Sequence, residues 1–241
     1  GSMHEIAPDN PHWKAGQASL NGLAILQMNS VDSNLLRLRE RGLRAIEGKD
    51  FSHLPRRFWV GRRSGQSRAR PLAGESDLLE MLQPFGFESV VFEDLSPLEQ
   101  IAIMANAEML VSHHGAGFTN MLFANPQATV IELGTLQTAR YRWGDFHAVA
   151  NASGCRYVSF FADYNTDTPL IDPVFSMDGI VPVYLSREGL AQVVCFIVSS
   201  LGKIPKLSRA EDVERLTFQL LNSGDAQHAK EVVDLHLGME E

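Results

Sequence analysis

Between Ser112 and Asn120 the chain reads SHHGAGFTN, two histidines ahead of two glycines and then a hydroxyl and an amide. Glycine lets a backbone turn tightly and come close to a ligand. The N–H groups at the start of a helix, with its positive dipole end, suit a phosphate. Thr119 adds a hydroxyl donor and a histidine adds a ring N–H. On a strand, adjacent histidines point to opposite faces; His114, nearer the glycines, is expected to face a ligand and His113 to be structural. The candidate diphosphate ligands in this stretch are His114, Gly115, Ala116, Gly117, Thr119 and Asn120. A tight turn whose glycines merely permit close packing accounts for the spacing equally well, because short glycine motifs recur by chance. An esterase oxyanion loop is a third use, but no GxSxG nucleophile accompanies it.

A second cluster lies upstream. Residues 56–70, RRFWVGRRSGQSRAR, carry six arginines and no acid in a chain that is acidic as a whole. Arg62, Arg63, Arg68 and Arg70 follow a short apolar run, which puts them at the carboxyl end of a strand, where open parallel sheets bind ligands. The guanidinium fork donates two parallel hydrogen bonds and keeps its charge near neutral pH. Arg62, Arg63 and Arg70 are therefore candidate diphosphate ligands, with a solvated basic loop as the competing explanation. Glu132 lies at the end of the strand run TVIEL, next to last in it and one strand–helix unit after the glycines. A carboxylate there can accept from a ribose diol, although an acid turned to solvent would look the same.

These residues need a scaffold that gathers strand ends. Leu35, Leu36, Leu38 and Leu43, spaced among arginines, predict an amphipathic helix over 34–46 after an irregular lead-in. Strands are expected at 58–60, 88–92, 109–112, 129–133 and 157–161. Between them fall helices at 75–85 (ended by Gly86), one starting at Pro97 with Leu98, Ile101, Ala102 and Ala105 at helical spacing, and others at 118–123 and 146–152. Ser96, Pro97 and Glu99 form an N-cap, first-turn proline and capping box. Ser186 caps a helix to Leu201. Ser208 is expected to cap the first of two further helices, joined by a turn at 223–225. The runs VVF and VIEL are near-continuously apolar, as strands buried on both faces of a parallel sheet are. Repeated βα units imply an α/β fold, a Rossmann-like doubly wound parallel sheet with a C-terminal helical hairpin. The expected divisions are a lead-in over 1–55, the Rossmann-like domain over 56–205 and the hairpin over 206–241.

Composition narrows the function classes. A formal net charge of −8 and a pI near 5.5 argue against general nucleic-acid binding and against an anionic membrane surface. The two cysteines, Cys155 and Cys195, show neither zinc spacing nor a need for a disulfide, so a cytoplasmic location is expected. The longest apolar run, 190–201, is broken by Gln192 and by Ser199-Ser200 and is too short to span a bilayer. No DxD-type metal motif is present.

With these residues in place, the stretch from Arg57 to Phe161 resembles glycosyltransferase family 61. The resemblance rests on four ordered motifs: Gly86-Phe87-Glu88; Leu95-Ser96 with Glu99-Gln100; His114-Gly115-Ala116-Gly117 with Thr119-Asn120; and Val130-Ile131-Glu132-Leu133. Phe118 stands where the family usually has leucine, and Gly61 where serine is common. The resemblance implies half of a GT-B fold and an inverting, metal-independent glycosyltransferase. Its donor would be a nucleotide-diphosphate sugar, with no further cofactor, and its acceptor a glycan, in surface polysaccharide synthesis. Residues 56–205 would then be the nucleotide-sugar-binding domain, with Glu132 at the ribose and the catalytic base unassigned. Too little chain precedes Arg57 for a complete N-terminal Rossmann domain, so this chain is expected to bind donor but transfer sugar poorly by itself. The alternative is a non-catalytic nucleotide-sugar-binding or scaffold module, with the C-terminal helices offering a face to a protein partner.

Overall fold

The computed structural model describes residues 33–61, 72–134, 144–161, 163–164 and 183–238. Arg62, Arg63, Arg68 and Arg70 lie outside the described residues. The elements in chain order are α1 (Ser33–Ile46), β1 (Arg57–Gly61), β2 (Leu72–Ala73), α2 (Glu75–Leu82), β3 (Glu88–Val91), α3 (Pro97–Asn106), β4 (Met109–His113) and β5 (Thr129–Gly134). They continue with α4 (His147–Ser153), β6 (Arg156–Phe161), β7 (Asp163–Tyr164), β8 (Val183–Tyr184), α5 (Arg187–Leu201), α6 (Ala210–Asn222) and α7 (Ala226–Leu237).

Five strands form one parallel sheet in the order β3-β1-β4-β5-β6, and β2, β8 and β7 form a small second sheet. The chain steps from β1 to β3 on one side and then crosses to β4 on the other. The carboxyl ends of β1 and β4 therefore flank the point where strand order reverses, the place where open α/β sheets form a ligand crevice. Every residue of β4 and β5 is buried, which explains their continuous apolar character.

Each face of the large sheet carries its own core. Trp59, Val111, Ile131 and Leu133 pack on one face with Leu78 and Leu82 of α2 and with Leu190, Val194 and Val198 of α5. Phe58, Leu110 and Val130 pack on the other with Ile103 and Met104 of α3 and with Phe118 and Met121. Helices on both sides make the sheet Rossmann-like. The C-terminal helices α6 and α7 belong to the first core, since Leu216, Leu220, Ala229 and Val232 sit in the same cluster as Trp59.

The capping chemistry around α3 is as the sequence reads. Ser96 accepts from the Glu99 N–H while the Glu99 carboxylate accepts from the Ser96 N–H, with Pro97 in the first turn. Gly86 ends the 3-10 turn after α2 at φ 79°. Ser208 does not cap α6: the N-cap position is Arg209, without a side-chain cap bond, and the Ser208 hydroxyl instead donates to Glu80 of α2 at 2.8 Å. Asp225 caps α7 by accepting the His228 N–H.

Candidate functional site

The SHHGAGFTN stretch leaves the end of β4 and enters a 3-10 helix over Ala116–Phe123, not an α-helix. The first bond of that helix runs from the Phe118 N–H to the Gly115 carbonyl. The N–H groups of Ala116 and Gly117 thus lie ahead of the ladder, at the end where a helix leaves its donors free. Neither glycine is left-handed: Gly115 is fully extended at φ 171°, and Gly117 is not among the glycines of positive φ. The tight-turn role expected of them is not what they perform. A Cβ on Gly117 would stand 3.6 Å from the Phe92 ring, an ordinary contact. Gly117 instead leaves space open beside Phe92.

That space is a cavity of about 200 Å³ at the switch point. Val60 and Gly61 line it from the end of β1, Ser112 and His113 from the end of β4, residues 115–117 from the glycine turn, and Phe92 and Glu93 from the end of β3. Gly61, on the cavity's edge, is the last described residue before Arg62 in the sequence. The Ser112 hydroxyl donates to the Val60 carbonyl at 3.0 Å and ties the two strand ends together. His113, buried at 4% exposure, lies beside Trp59 with ring centroids 6.1 Å apart.

The alternation of β4 turns His114 to the other face, and it does not line the cavity. Its Nδ1 meets a Glu132 oxygen and its Nε2 lies 3.9 Å from Asp145, with Phe146 against the ring at 5.2 Å between centroids. Glu132 sits inside β5, which continues to Gly134, and its side chain is 5% exposed. Its second oxygen accepts from the Tyr157 hydroxyl and, at 3.1 Å, from Ser159. Burial pushes the Glu132 carboxyl up, but the hydrogen bond and charge of His114, then the Tyr157 and Ser159 hydroxyls, outweigh it and hold the group below its ordinary value. Burial and the Glu132 charge push the Tyr157 phenol well up. His147, edge-on to Tyr157 at 5.2 Å, is pushed down by burial against the pull of Glu132.

Thr119 and Asn120 build the turn from within. The Thr119 hydroxyl donates to the Ala116 carbonyl at 2.7 Å. The Asn120 amide donates to Gln100 at 3.1 Å, and Gln100 donates in turn to the carbonyls of Phe92 and Leu95. Two motifs separated in sequence are thereby joined around the cavity. Sequence reasoning missed His113, Ser112 and Glu93. The strand alternation that would assign His113 was visible, but which face opens onto a crevice depends on strand order. Among the described residues, no group of three or more His, Cys, Asp or Glu side chains could hold a metal ion, and no helix is long and apolar enough to cross a membrane.

A larger cavity of about 700 Å³ lies between Phe160, one side of α5 and the α6–α7 turn. Its described lining includes Asp225 and no cation, which makes it the poorer home for an anion despite its size.

The family model described as Glycosyltransferase 61 matches residues 4–131, just over half of the chain. The match takes in the lead-in, α1, β1, β3 and β4, and it ends within β5. No curated protein matches the chain.

Proposed function

Since this chain belongs to glycosyltransferase family 61, we propose that it binds a nucleotide-sugar donor at the switch point between β1 and β4, as the donor half of an inverting GT-B enzyme that elongates a surface polysaccharide. One observation carries the reading. The cavity beside residues 115–117 lies at the carboxyl ends of β1 and β4, where parallel sheets of this kind take their ligands. The N–H groups of Ala116 and Gly117 and the arginines that follow Gly61 supply donors for a diphosphate. Arg62, Arg63 and Arg70 are the guanidiniums assigned to it. Glu93, exposed on the rim after β3, is the carboxylate available to ribose or sugar hydroxyls. Glu132, assigned to the ribose from sequence, already has its oxygens engaged.

The leaving group in such a transfer is a nucleoside diphosphate. Its developing negative charge is met here by arginine and backbone donors, so no divalent ion is needed to neutralise it. The test is a thermal-shift screen against UDP, GDP, CDP and TDP, with and without EDTA. One of them should raise the melting temperature, since a ligand of the folded state stabilises it, and EDTA should leave the shift intact. Arg63→Ala and Arg70→Ala should each weaken that ligand by about 1.5–3 kcal/mol. Wild-type affinity in both folded variants would remove the arginines from the site.

A further inference from the structure

We propose that the larger cavity, between β6, α5 and the turn joining α6 to α7, is a saccharide-binding groove separate from the donor cavity. It takes an uncharged oligosaccharide, laid against the Phe160 and Phe196 rings and held by the Gln192 and Asn222 amides.

The cavity holds about 700 Å³, within the roughly 300–1,000 Å³ of small-molecule sites. Two kinds of group line it. Phe160 of β6 and Phe196 of α5, both half-buried, meet edge to face at 5.5 Å between centroids. The rest of the described lining is mostly amide and hydroxyl, with the single carboxylate of Asp225. A sugar ring is amphipathic in the same sense. One face presents C–H groups that pack on an aromatic ring, while its hydroxyls both donate and accept. A side-chain amide carries two donors and an acceptor, so it meets a hydroxyl in either role.

Several of the polar groups are committed within the protein. Asp225 accepts from the Ser199 hydroxyl at 2.5 Å and from the His228 ring and N–H at 2.7 and 3.3 Å, which fixes the start of α7. Ser223 donates to the Leu220 carbonyl at 2.8 Å, and Gln219 donates to Glu188. The Gln192 and Asn222 side chains, at exposed positions, make no such bond among the described residues. Arg156 lies over the Phe196 ring at 4.7 Å from its centroid and is not part of the lining. With no cation in the described lining, the groove matches a neutral chain and not a phosphate or a sugar acid.

Strand register relates this groove to the donor cavity. Phe160 pairs with Leu133, and Leu133 with His113, which lines the donor cavity. Phe160 and His113 thus stand at one level of the sheet, two strand spacings or about 10 Å apart. That the bound chain is a segment of the acceptor rests on the donor-half reading above; saccharide binding itself does not.

The test is amide NMR without nucleotide, with cellotetraose, maltotetraose and chitotetraose titrated in turn. At least one should cause saturable shifts of the Gln192 and Asn222 side-chain amides and of the Ser223 and Gly224 backbone, with Ala116 and Gly117 unmoved. Gln192→Ala and Asn222→Ala should keep the wild-type melting temperature and each weaken that saccharide about three- to tenfold. Phe160→Leu keeps an apolar side chain but removes the flat ring, and should weaken it at least as much. No shift with any of the three, wild-type affinity in both alanine variants, or shifts confined to the glycine turn would overturn the proposal. A groove that serves a protein partner instead gives the first of these results. Because the titration contains no nucleotide, failure of UDP, GDP, CDP and TDP to bind removes the donor reading and leaves the saccharide result standing.

Discussion

Gly115 is extended and Gly117 is not left-handed, and the contribution of Gly117 at the cavity is the side-chain volume it omits. Gly117→Ala separates that role from folding. The added Cβ would meet Phe92, which lines the same cavity, at an ordinary 3.6 Å. The melting temperature should stay close to wild type while diphosphate affinity falls; a variant that binds normally would show that the ligand lies elsewhere. Glu132 gives a pH signature at the same scale. Its folded value is depressed, so its stabilising contribution is complete above the unfolded value of about 4.3. That contribution declines as pH falls below this value and is gone once pH has passed through the lower folded value. Urea melts should show Glu132→Gln less stable than wild type at pH 7, with the gap closing below about pH 4. A gap that stays constant to pH 3 would contradict the assignment.

Among the elements, the junction of the two sheets is the most tightly specified. Gly74 precedes α2 at φ +92°, and a Cβ there would stand 2.9 Å from the Leu185 carbonyl oxygen. The Leu185 N–H donates to the Ala73 carbonyl across the same seam. Left-handed backbone costs a non-glycine residue about 1–2 kcal/mol, and here the contact is with rigid backbone. Gly74→Ala should therefore lower stability by about 2–3 kcal/mol, measured by urea unfolding; an unchanged midpoint would mean that β2 and β8 do not meet as described. The elements themselves were largely legible. Ser96, Pro97, Glu99, Gly86 and Ser186 signal their helix ends through local chemistry that needs no tertiary partner. Ser208 failed as a cap because its hydroxyl is taken by Glu80, 128 residues away in sequence, and no local pattern carries that. The short helix after the glycines, expected over 118–123, is a 3-10 helix over Ala116–Phe123.

At the scale of the molecule, the C-terminal helices are fastened to the sheet by charge as well as by core. Arg187 of α5 donates to both oxygens of Asp212 on α6 and to Asp77 on α2, at 2.9–3.1 Å. The Asp212 side chain is 9% exposed, so removing Arg187 leaves a nearly buried carboxylate with the longer 3.4 Å contact from Arg215. Arg187→Ala should cost about 1.5–3 kcal/mol in urea unfolding, with a single cooperative transition for the sheet and α6 and α7 together. A separate early transition for α6 and α7 would mean that these helices are an independent unit. The site was harder to read than the fold for one reason. His113, Glu93 and Val60 come from three strand ends whose adjacency is set by the order β3-β1-β4, and sequence spacing does not encode that order. The same lack hid the engagement of Glu132, whose partners Tyr157 and Ser159 arrive only when β6 pairs with β5.

The central claim is the location of the donor's diphosphate, and amide NMR maps it directly. Adding the nucleoside diphosphate that most raises the melting temperature should perturb the amides of Gly61, His113, Ala116 and Gly117 first and most strongly, in EDTA as in its absence. The amides of Ser223 and Asp225, beside the larger cavity, should stay still. Saturable shifts confined to Ser223, Asp225 and their neighbours on α5, with the glycine turn unmoved, would contradict the account.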